Sequence, residues 1–236
     1  MMRGHLHLVA LILTAAPILA EDKTSGDWKY SPNENGAGTI VAYAGDEADV
    51  VVPAELDGVK ITHIGRGAFA LPANFSGTDN LTSVVLPEGL LEIGGGAFER
   101  REKLTNAVIP KSVELIEFYA FGNCSALLSV EVNPENPAYS SIDGVVFDKA
   151  EKALFHYPIG KPEEMYTIPP WIEVIGDCAF VKAKNLTEVI IPEGVRVIGL
   201  RAFDEASNLQ NIVIPSSVES IRENAFYGCA SLTTSP

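Results

Sequence analysis

The pattern of hydrophobic and polar positions repeats along most of the chain. From residue 214 the sequence reads IPSSVESIRENAFYGCASL, and from residue 191 it reads IPEGVRVIGLRAFDEASNL. Further copies begin at 168, 109 and 86, and a looser copy begins at 52. Each full copy has an aliphatic residue before a proline, an isoleucine six residues later, an Ala-Phe pair and then a leucine. The shared positions are apolar, so the pattern predicts one structural unit built several times.

The phenylalanine of the Ala-Phe pair measures the period of the repeat. It recurs after 23 residues (121 − 98, 203 − 180 and 226 − 203), with one insertion of 6 (98 − 69 − 23) and one of 36 (180 − 121 − 23). A fixed period of roughly 20 to 50 residues indicates a solenoid, in which stacked units share one continuous core. The repeat therefore predicts that six aromatic rings lie inside the stack: Phe69, Phe98, Phe121, Phe180, Phe203 and Phe226.

The alternation within one unit predicts its local structure. Between residues 209 and 226, Ile212 and Ile214 are two positions apart, so on a strand both point inward while Val213 points outward. Pro215 ends that strand because proline has no amide hydrogen to donate to a neighbouring strand. A second short extended run follows, and the Ala-Phe pair after it is predicted to form a short helical turn.

The repeat resembles that of the BspA-like leucine-rich repeat family, which runs approximately L-x-x-V-x-I-P-x-x-V-x-x-I-x-x-x-A-F-x-x-C-x-x-L. The resemblance extends over about residues 39 to 232. It implies a β-dominated α/β leucine-rich-repeat solenoid of stacked 23-residue coils, with short parallel strands and short helical turns. At the position where the standard repeat carries asparagine or cysteine, this chain has Gly89, Ser112, Gly194 or Ser217, so no asparagine ladder is expected there.

The remaining segments suggest how the chain is organised. Residues 1–20 are predicted to be a signal peptide, and residues 21–53 to be an N-terminal β-hairpin cap that covers the first coil. The solenoid is expected over 54–236. Within it, residues 133–166 resemble the longer repeat variant of the family, and two apolar runs around a polar stretch predict a β-hairpin there. We expect this hairpin to be an excursion from the edge of the solenoid.

The N-terminal segment and the net charge restrict the partners. Arg3, an apolar run over 8–13 and small residues up to 20 favour export with cleavage before Glu21. An uncleaved membrane anchor is the alternative, but the apolar run is too short to span a bilayer. The formal net charge is −14, and removal of Arg3 makes it −15. Such an acidic chain repels nucleic acid and anionic lipid, and we expect no membrane insertion after cleavage.

The sequence offers little that suggests catalysis, a cofactor or a metal site. The three cysteines are an odd number without close spacing, which argues against both a disulfide framework and a zinc cluster and predicts three free thiols. Cys124 as a nucleophile is the alternative, but no histidine is placed beside it and a buried small side chain explains it better. A calcium ion near Asp46, Glu47 and Asp49 is also an alternative. A solvated acidic turn is favoured, because calcium loops need ligands at ordered spacings.

The outward side chain just before each aliphatic-proline pair suggests a binding face. Stacking would align Val85, Val108, Ile190 and Val213 as an exposed β-branched ladder, which Glu131 interrupts where the insertion leaves. One interpretation is that β-branched residues simply suit a strand. The other is that a protein ligand docks on this apolar strip and its polar rim. The predicted rim comprises Thr82, Ser83, Thr105, Asn106, Thr187, Glu188, Gln210 and Asn211.

Three classes of function follow from these observations. The family resemblance and the export signal imply a secreted or cell-surface, non-catalytic module that binds extracellular or surface proteins or mediates adhesion. The alternative is a structural or self-associating spacer in a larger surface protein, with self-association through an uncapped C-terminal coil. An enzyme is the third class, and the absence of a recognisable catalytic motif argues against it.

Overall fold

A computed structural model describes residues 21–72, 79–150 and 152–233. The predicted signal peptide lies outside these ranges. The regular structure that they contain consists of short β-strands, numbered here in chain order. They are β1 (Lys23–Ser25), β2 (Trp28–Pro32), β3 (Ala37–Tyr43), β4 (Asp49–Val51), β5 (Glu55–Leu56), β6 (Val59–Ile64), β7 (Ser83–Val85), β8 (Glu92–Ile93), β9 (Asn106–Ile109), β10 (Leu115–Ile116), β11 (Ser129–Val132), β12 (Tyr139–Ile142), β13 (Val145–Asp148), β14 (Ala153–His156), β15 (Met165–Thr167), β16 (Val174–Ile175), β17 (Glu188–Ile190), β18 (Val197–Ile198), β19 (Asn211–Val213) and β20 (Ser220–Ile221).

The strand that precedes each aliphatic-proline pair stacks on its counterpart in the next coil. These strands form two parallel sheets, β4-β7-β9-β11 and β15-β17-β19. The register follows the period: Val84 lies opposite Ala107, and Val189 lies opposite Ile212. All four of these side chains are buried, as the alternation predicts. The prediction of a leucine-rich repeat solenoid with short parallel strands is confirmed.

The second extended run of each coil forms the other wall of the stack. β6, β8 and β10 pair in parallel, and so do β14, β16, β18 and β20. At the N-terminus β1, β2 and β3 are antiparallel, and β3 then pairs in parallel with β6. Trp28 and Tyr43 from this N-terminal sheet lie against the first repeat ring, Phe69, at 5.9 and 5.2 Å between ring centroids. The N-terminal strands therefore cover the apolar end of the first coil.

The repeat phenylalanines form two stacks of three rings in the interior. Phe180, Phe203 and Phe226 are nearly parallel, with centroids 4.8 and 5.2 Å apart. Phe98 lies between Phe69 and Phe121, at 4.8 and 5.3 Å. The first five repeat rings are buried, whereas Phe226 in the last described coil is only partly buried. Each ring thus packs against rings 23 or more residues away, which ties neighbouring coils together.

The prediction of short helical turns is wrong, because the Ala-Phe segments are non-helical turns in every coil and the described residues contain no helix. Consequently no helix long and apolar enough to cross a membrane is found in this part of the chain. A left-handed residue before each pair breaks the helical conformation. The Phe98 amide then donates to Ala120 O and the Phe203 amide to Ala225 O, both at 2.8 Å, so these bonds join coils. The left-handed residues are Gly67, Gly96, Tyr119, Cys178, Arg201 and Asn224, with φ between 53° and 64°.

The insertion is part of the solenoid wall, so the expectation of an excursion from its edge is wrong. β12, β13 and β14 form an antiparallel meander, and β14 then pairs in parallel with β16. Phe147 and Leu154 from this meander are fully buried. Asn136, also buried, uses its side-chain nitrogen to donate to the carbonyls of Pro110 and Val113 at 3.0 and 2.8 Å. Burial of its apolar side chains holds the meander against the coils.

Polar side chains bond successive coils where the usual asparagine is missing. Ser112 Oγ accepts a hydrogen bond from the Gly89 amide at 2.9 Å, and Ser217 Oγ accepts one from Gly194 at 3.0 Å. The serine hydroxyl therefore forms a hydrogen bond to the preceding coil. It does so from the corner position at which the standard repeat has asparagine. In these two coils the serine hydroxyl thus supplies a bond between coils at this corner.

Candidate binding face

The outward side chains of the first strands form two columns along the stack, which we call the strand face. In the first column Val51, Val85 and Val108 lie directly opposite one another and are followed by Glu131. Val51 is 69% exposed, Val85 52% and Val108 50%. The second sheet has an equivalent column, formed by Thr167, Ile190 and Val213, of which Ile190 is 42% and Val213 77% exposed.

The second column of the strand face is more polar. In the first sheet it contains Ser83 and Asn106, and in the second sheet it contains Met165, Glu188 and Asn211. Met165 is 55% exposed and adds an apolar side chain that the sequence analysis did not include. Val51 was missed as well, although it precedes the aliphatic-proline pair of the looser copy and the same rule applies to it.

The threonines of the predicted rim hold the coils together. Thr82 Oγ1 donates to Ala48 O at 3.0 Å, and Thr105 Oγ1 donates to Thr82 O at 3.1 Å. Thr187 Oγ1 donates to Glu164 O at 3.1 Å. Each hydroxyl therefore bonds a backbone carbonyl of the preceding coil. Each hydroxyl proton is committed to the stack, which leaves the oxygen as an acceptor and the methyl group for a ligand.

The other rim residues differ in their exposure and in their hydrogen bonds. Asn106, Gln210 and Asn211 are exposed, and Glu188 is half-buried. Ser83 Oγ donates to Asp49 Oδ1 at 2.5 Å. The strand face as a whole has carboxylates but no lysine or arginine in its two columns. Its surface is therefore apolar along one column and polar to acidic along the other.

The three thiols are poorly suited to nucleophilic chemistry. Burial raises the pKa of Cys124 to about 12 and those of Cys178 and Cys229 to about 11. The Cys124 thiol donates to Phe98 O at 3.1 Å and Cys229 to Phe203 O, also at 3.1 Å. The nucleophilic form of cysteine is the thiolate, and at neutral pH these groups are thiols. All three cysteines are free.

The carboxylates of the acidic turn point to different partners. Glu47 accepts a hydrogen bond from the Tyr43 hydroxyl, which is the main reason that its pKa is lowered. Asp49 Oδ1 accepts a hydrogen bond from the Ser83 hydroxyl. Across the ranges that the structure describes, no group of three or more histidine, cysteine, aspartate or glutamate side chains is arranged to hold a metal ion.

A cleft of about 660 Å³ lies along the Ala-Phe turns. Phe118, Tyr119 and Leu200 supply its apolar lining, and Arg201 and Asp204 are among its charged residues. Asp204 is almost fully buried, and its pKa is raised mainly by that burial. The thiol in this cleft, Cys178, has the raised pKa noted above, so the lining does not present an activated nucleophile.

Comparison with known proteins places the repeat in a family. The sequence model described as BspA type Leucine rich repeat region matches six copies over residues 59–159 and 162–235. The chain belongs to this family. The match covers most of the chain, and it indicates a repeat family and not a catalytic one. A search of the curated proteins found no match.

Solved bacterial leucine-rich repeat structures share the fold. The pneumococcal vaccine antigen PcpA is 21% identical with a TM-score of 0.55, over 91% of this chain and 75% of PcpA. The leucine rich repeat protein TpLRR of T. pallidum is 22% identical with a TM-score of 0.55, over 90% of this chain and 91% of TpLRR. A leucine-rich repeat protein from Bacteroides ovatus ATCC 8483 is 23% identical with a TM-score of 0.57, over 90% of this chain and 52% of that protein.

Proposed function

We propose that this member of the BspA type leucine-rich repeat family is a secreted or cell-surface, non-catalytic module that binds a protein ligand on its strand face. The observation that carries the proposal is the exposed aliphatic column. Val85 and Val108 lie opposite each other in one sheet, and Ile190 and Val213 lie opposite each other in the other sheet, all more than 40% exposed. Apolar side chains exposed in a row are typical of surfaces that another protein covers.

The rigidity of the strand face supports this proposal. The β-branched side chains of the aliphatic column have few rotamers, so they lose little conformational entropy when a ligand orders them. The residues before and after Val85, Val108 and Ile190 point inward and are buried. Threonine hydroxyls bond coil to coil along the same edge. A preorganised apolar strip with exposed amides beside it suits a broad contact with a protein surface.

The proposed location rests on the N-terminal segment and on the family. The first twenty residues have the charge and apolar pattern of an export signal. One protein of similar fold is a vaccine antigen of the pneumococcus. Both observations support export of this chain, after which the strand face meets extracellular or surface proteins.

The test uses the chain from residue 21 onward, immobilised and exposed to a mixture of extracellular proteins. Val108→Lys with Val213→Lys places a charge in each half of the aliphatic column, and both side chains face solvent, so the fold is expected to persist. The matched control is Leu91→Lys with Leu115→Lys, which changes two exposed aliphatic residues away from the strand face. We expect a ligand retained by the original chain and the control to be lost from the strand-face variant. Retention by all three proteins would remove the strand face as the binding site.

Self-association is a second candidate function, which the last described coil supports. Both residues of β20 are exposed, Ile221 to 44%, and Tyr227 is 67% exposed. β19 and β20 each pair with one neighbouring strand in the described residues. Sedimentation at increasing concentration distinguishes the candidates: a spacer would associate, and Tyr227→Lys would weaken that association, whereas a binding module stays monomeric without its ligand.

A further inference from the structure

Trp171 is an exception to the repeat at a position where every other full copy has a small residue. The corner after the aliphatic-proline pair carries Gly89, Ser112, Gly194 or Ser217 in the other coils. Those small residues suffice for the corner, and serine there bridges to the preceding coil. The solenoid therefore does not require an indole ring at this position.

The Trp171 side chain is held in place and remains accessible. Its ring packs on Phe147 of the insertion, with centroids 5.0 Å apart and planes at 57°. Trp171 is nevertheless 43% exposed. Together with Pro170 and the backbone at Gly194 it lines a cleft of about 530 Å³. This volume lies within the range of roughly 300 to 1,000 Å³ found for ligand sites. We call this cleft the Trp171 cleft.

The Trp171 cleft is positively charged in an acidic protein. Its described lining residues include Lys149, Lys152 and Arg196 and one carboxylate, Glu173, which gives these residues +2 (3 − 1) against −14 for the whole chain. Lys152 forms an ion pair with Glu173, and this contact is the main reason that the pKa of Glu173 is lowered.

The other two cations of the cleft are less fully neutralised. The Lys149 ammonium donates to the carbonyl of Asn136 at 2.6 Å, a contact that fixes its position without cancelling its charge. Arg196 Nε is 3.9 Å from Glu219 Oε1, and both side chains are more than 60% exposed, so the pairing is weak. A guanidinium in this situation retains the planar donor set that binds carboxylates through two parallel hydrogen bonds.

We propose that the Trp171 cleft binds an acidic protein segment, in which a glutamate or aspartate carboxylate meets Arg196 and Lys149 and a neighbouring aliphatic side chain lies on the Trp171 ring. Tryptophan and arginine are the residue types that most often dominate the binding energy of protein interfaces. A basic ligand is disfavoured because like charges would meet without compensation. The proposal is independent of the strand face, since the Trp171 cleft shares no residue with it.

The direct test follows peptide binding at Trp171 itself. The chain has two tryptophans, and Trp28 is partly buried beside Tyr43 and Phe69. Trp28→Phe therefore leaves Trp171 as the single indole. We expect the capped peptide Gly-Glu-Leu-Glu-Leu-Glu-Gly to shift the Trp171 emission with a saturable dependence on concentration, and about 0.5 M NaCl to weaken the binding because exposed charges are screened. The same peptide with glutamine in place of glutamate is expected not to bind.

Charge variants test whether the peptide binds at the Trp171 cleft or is attracted by positive charges anywhere on the surface. With a fluorescein-labelled peptide, Lys149→Gln with Arg196→Gln is expected to weaken binding about tenfold. The control Lys103→Gln with Lys184→Gln removes two exposed lysines outside the cleft and is expected to leave the affinity unchanged. Equal affinities for the two double variants, or no emission change with about 1 mM peptide, would overturn the proposal. Binding of polygalacturonate without binding of the peptide would also overturn it, because the ligand class would then be an acidic polysaccharide.

Discussion

Phe203 offers the sharpest test of how the solenoid is held together. Its ring is fully buried and stacks between Phe180 and Phe226, at 4.8 and 5.2 Å and within 7° of parallel. Phe203→Ala removes the contacts on both sides of the ring. The adjacent coils are fixed by strand pairing above and below, so they cannot collapse fully into the space that the ring leaves.

The expected magnitude follows from the burial of the ring. A buried phenylalanine removes roughly 200 Å² from water, which at about 25 cal/mol per Å² corresponds to about 5 kcal/mol as an upper limit. Alanine retains a small part of this term, and measured Phe→Ala costs are about 3–5 kcal/mol. We therefore expect Phe203→Ala to lower the free energy of unfolding by about 4 kcal/mol. Phe226 has one stacked neighbour and is partly exposed, so Phe226→Ala is expected to cost about 2 kcal/mol.

The assay is urea denaturation in the Trp28→Phe background. Trp171 then reports on the part of the solenoid that contains Phe203, which matters because stacked repeats need not unfold in one step. Phe226→Ala is the matched control, with the same change of side chain in the neighbouring coil. The reasoning is refuted if Phe203→Ala costs no more than Phe226→Ala, because stacking from both sides would then contribute nothing.

Two further predictions concern titratable groups. Burial lowers the pKa of His156 to about 4 from the ordinary 6.5, and its Nε2 is buried without a hydrogen-bond partner among the described residues. The unfolded chain binds a proton first as the pH falls, so between pH 6.5 and 4 stability should drop by at most about 3 kcal/mol. His156→Phe should remove this dependence in urea titrations, and an unchanged pH profile would contradict the assignment. The second prediction concerns the thiols: titration of the denatured, non-reduced chain should find three free thiols. In the native protein Cys124 should react last, because it is the most deeply buried of the three. A count of one free thiol would show that a disulfide had formed.

The sequence by itself determined the periodic part of this protein. A fixed period of 23 residues places equivalent side chains at the same angle in every coil, and strand pairing then keeps neighbours such as Val85 and Val108 opposite each other. Alternation with period two decided which side chains face inward, so the buried Val84 and the exposed Val85 both follow from the local pattern. The exposed aliphatic column could therefore be predicted without coordinates.

Tertiary structure decided the features that depend on contacts between coils. The Ala-Phe segments have a helix-compatible composition, yet the amide of Phe203 bonds the next coil and a left-handed Arg201 precedes the pair, so the turn is not helical. The hydroxyl proton of Thr105 looked available to a ligand from its position on the rim, but it is donated to the carbonyl of Thr82 in the preceding coil. The Trp171 cleft was not predicted either, because Lys149 and Arg196 lie 47 residues apart (196 − 149) and line one cleft only when the insertion packs against the next coils. Local patterns specify the repeated unit, whereas hydrogen bonds and charges between units depend on the stacking that only the folded chain has.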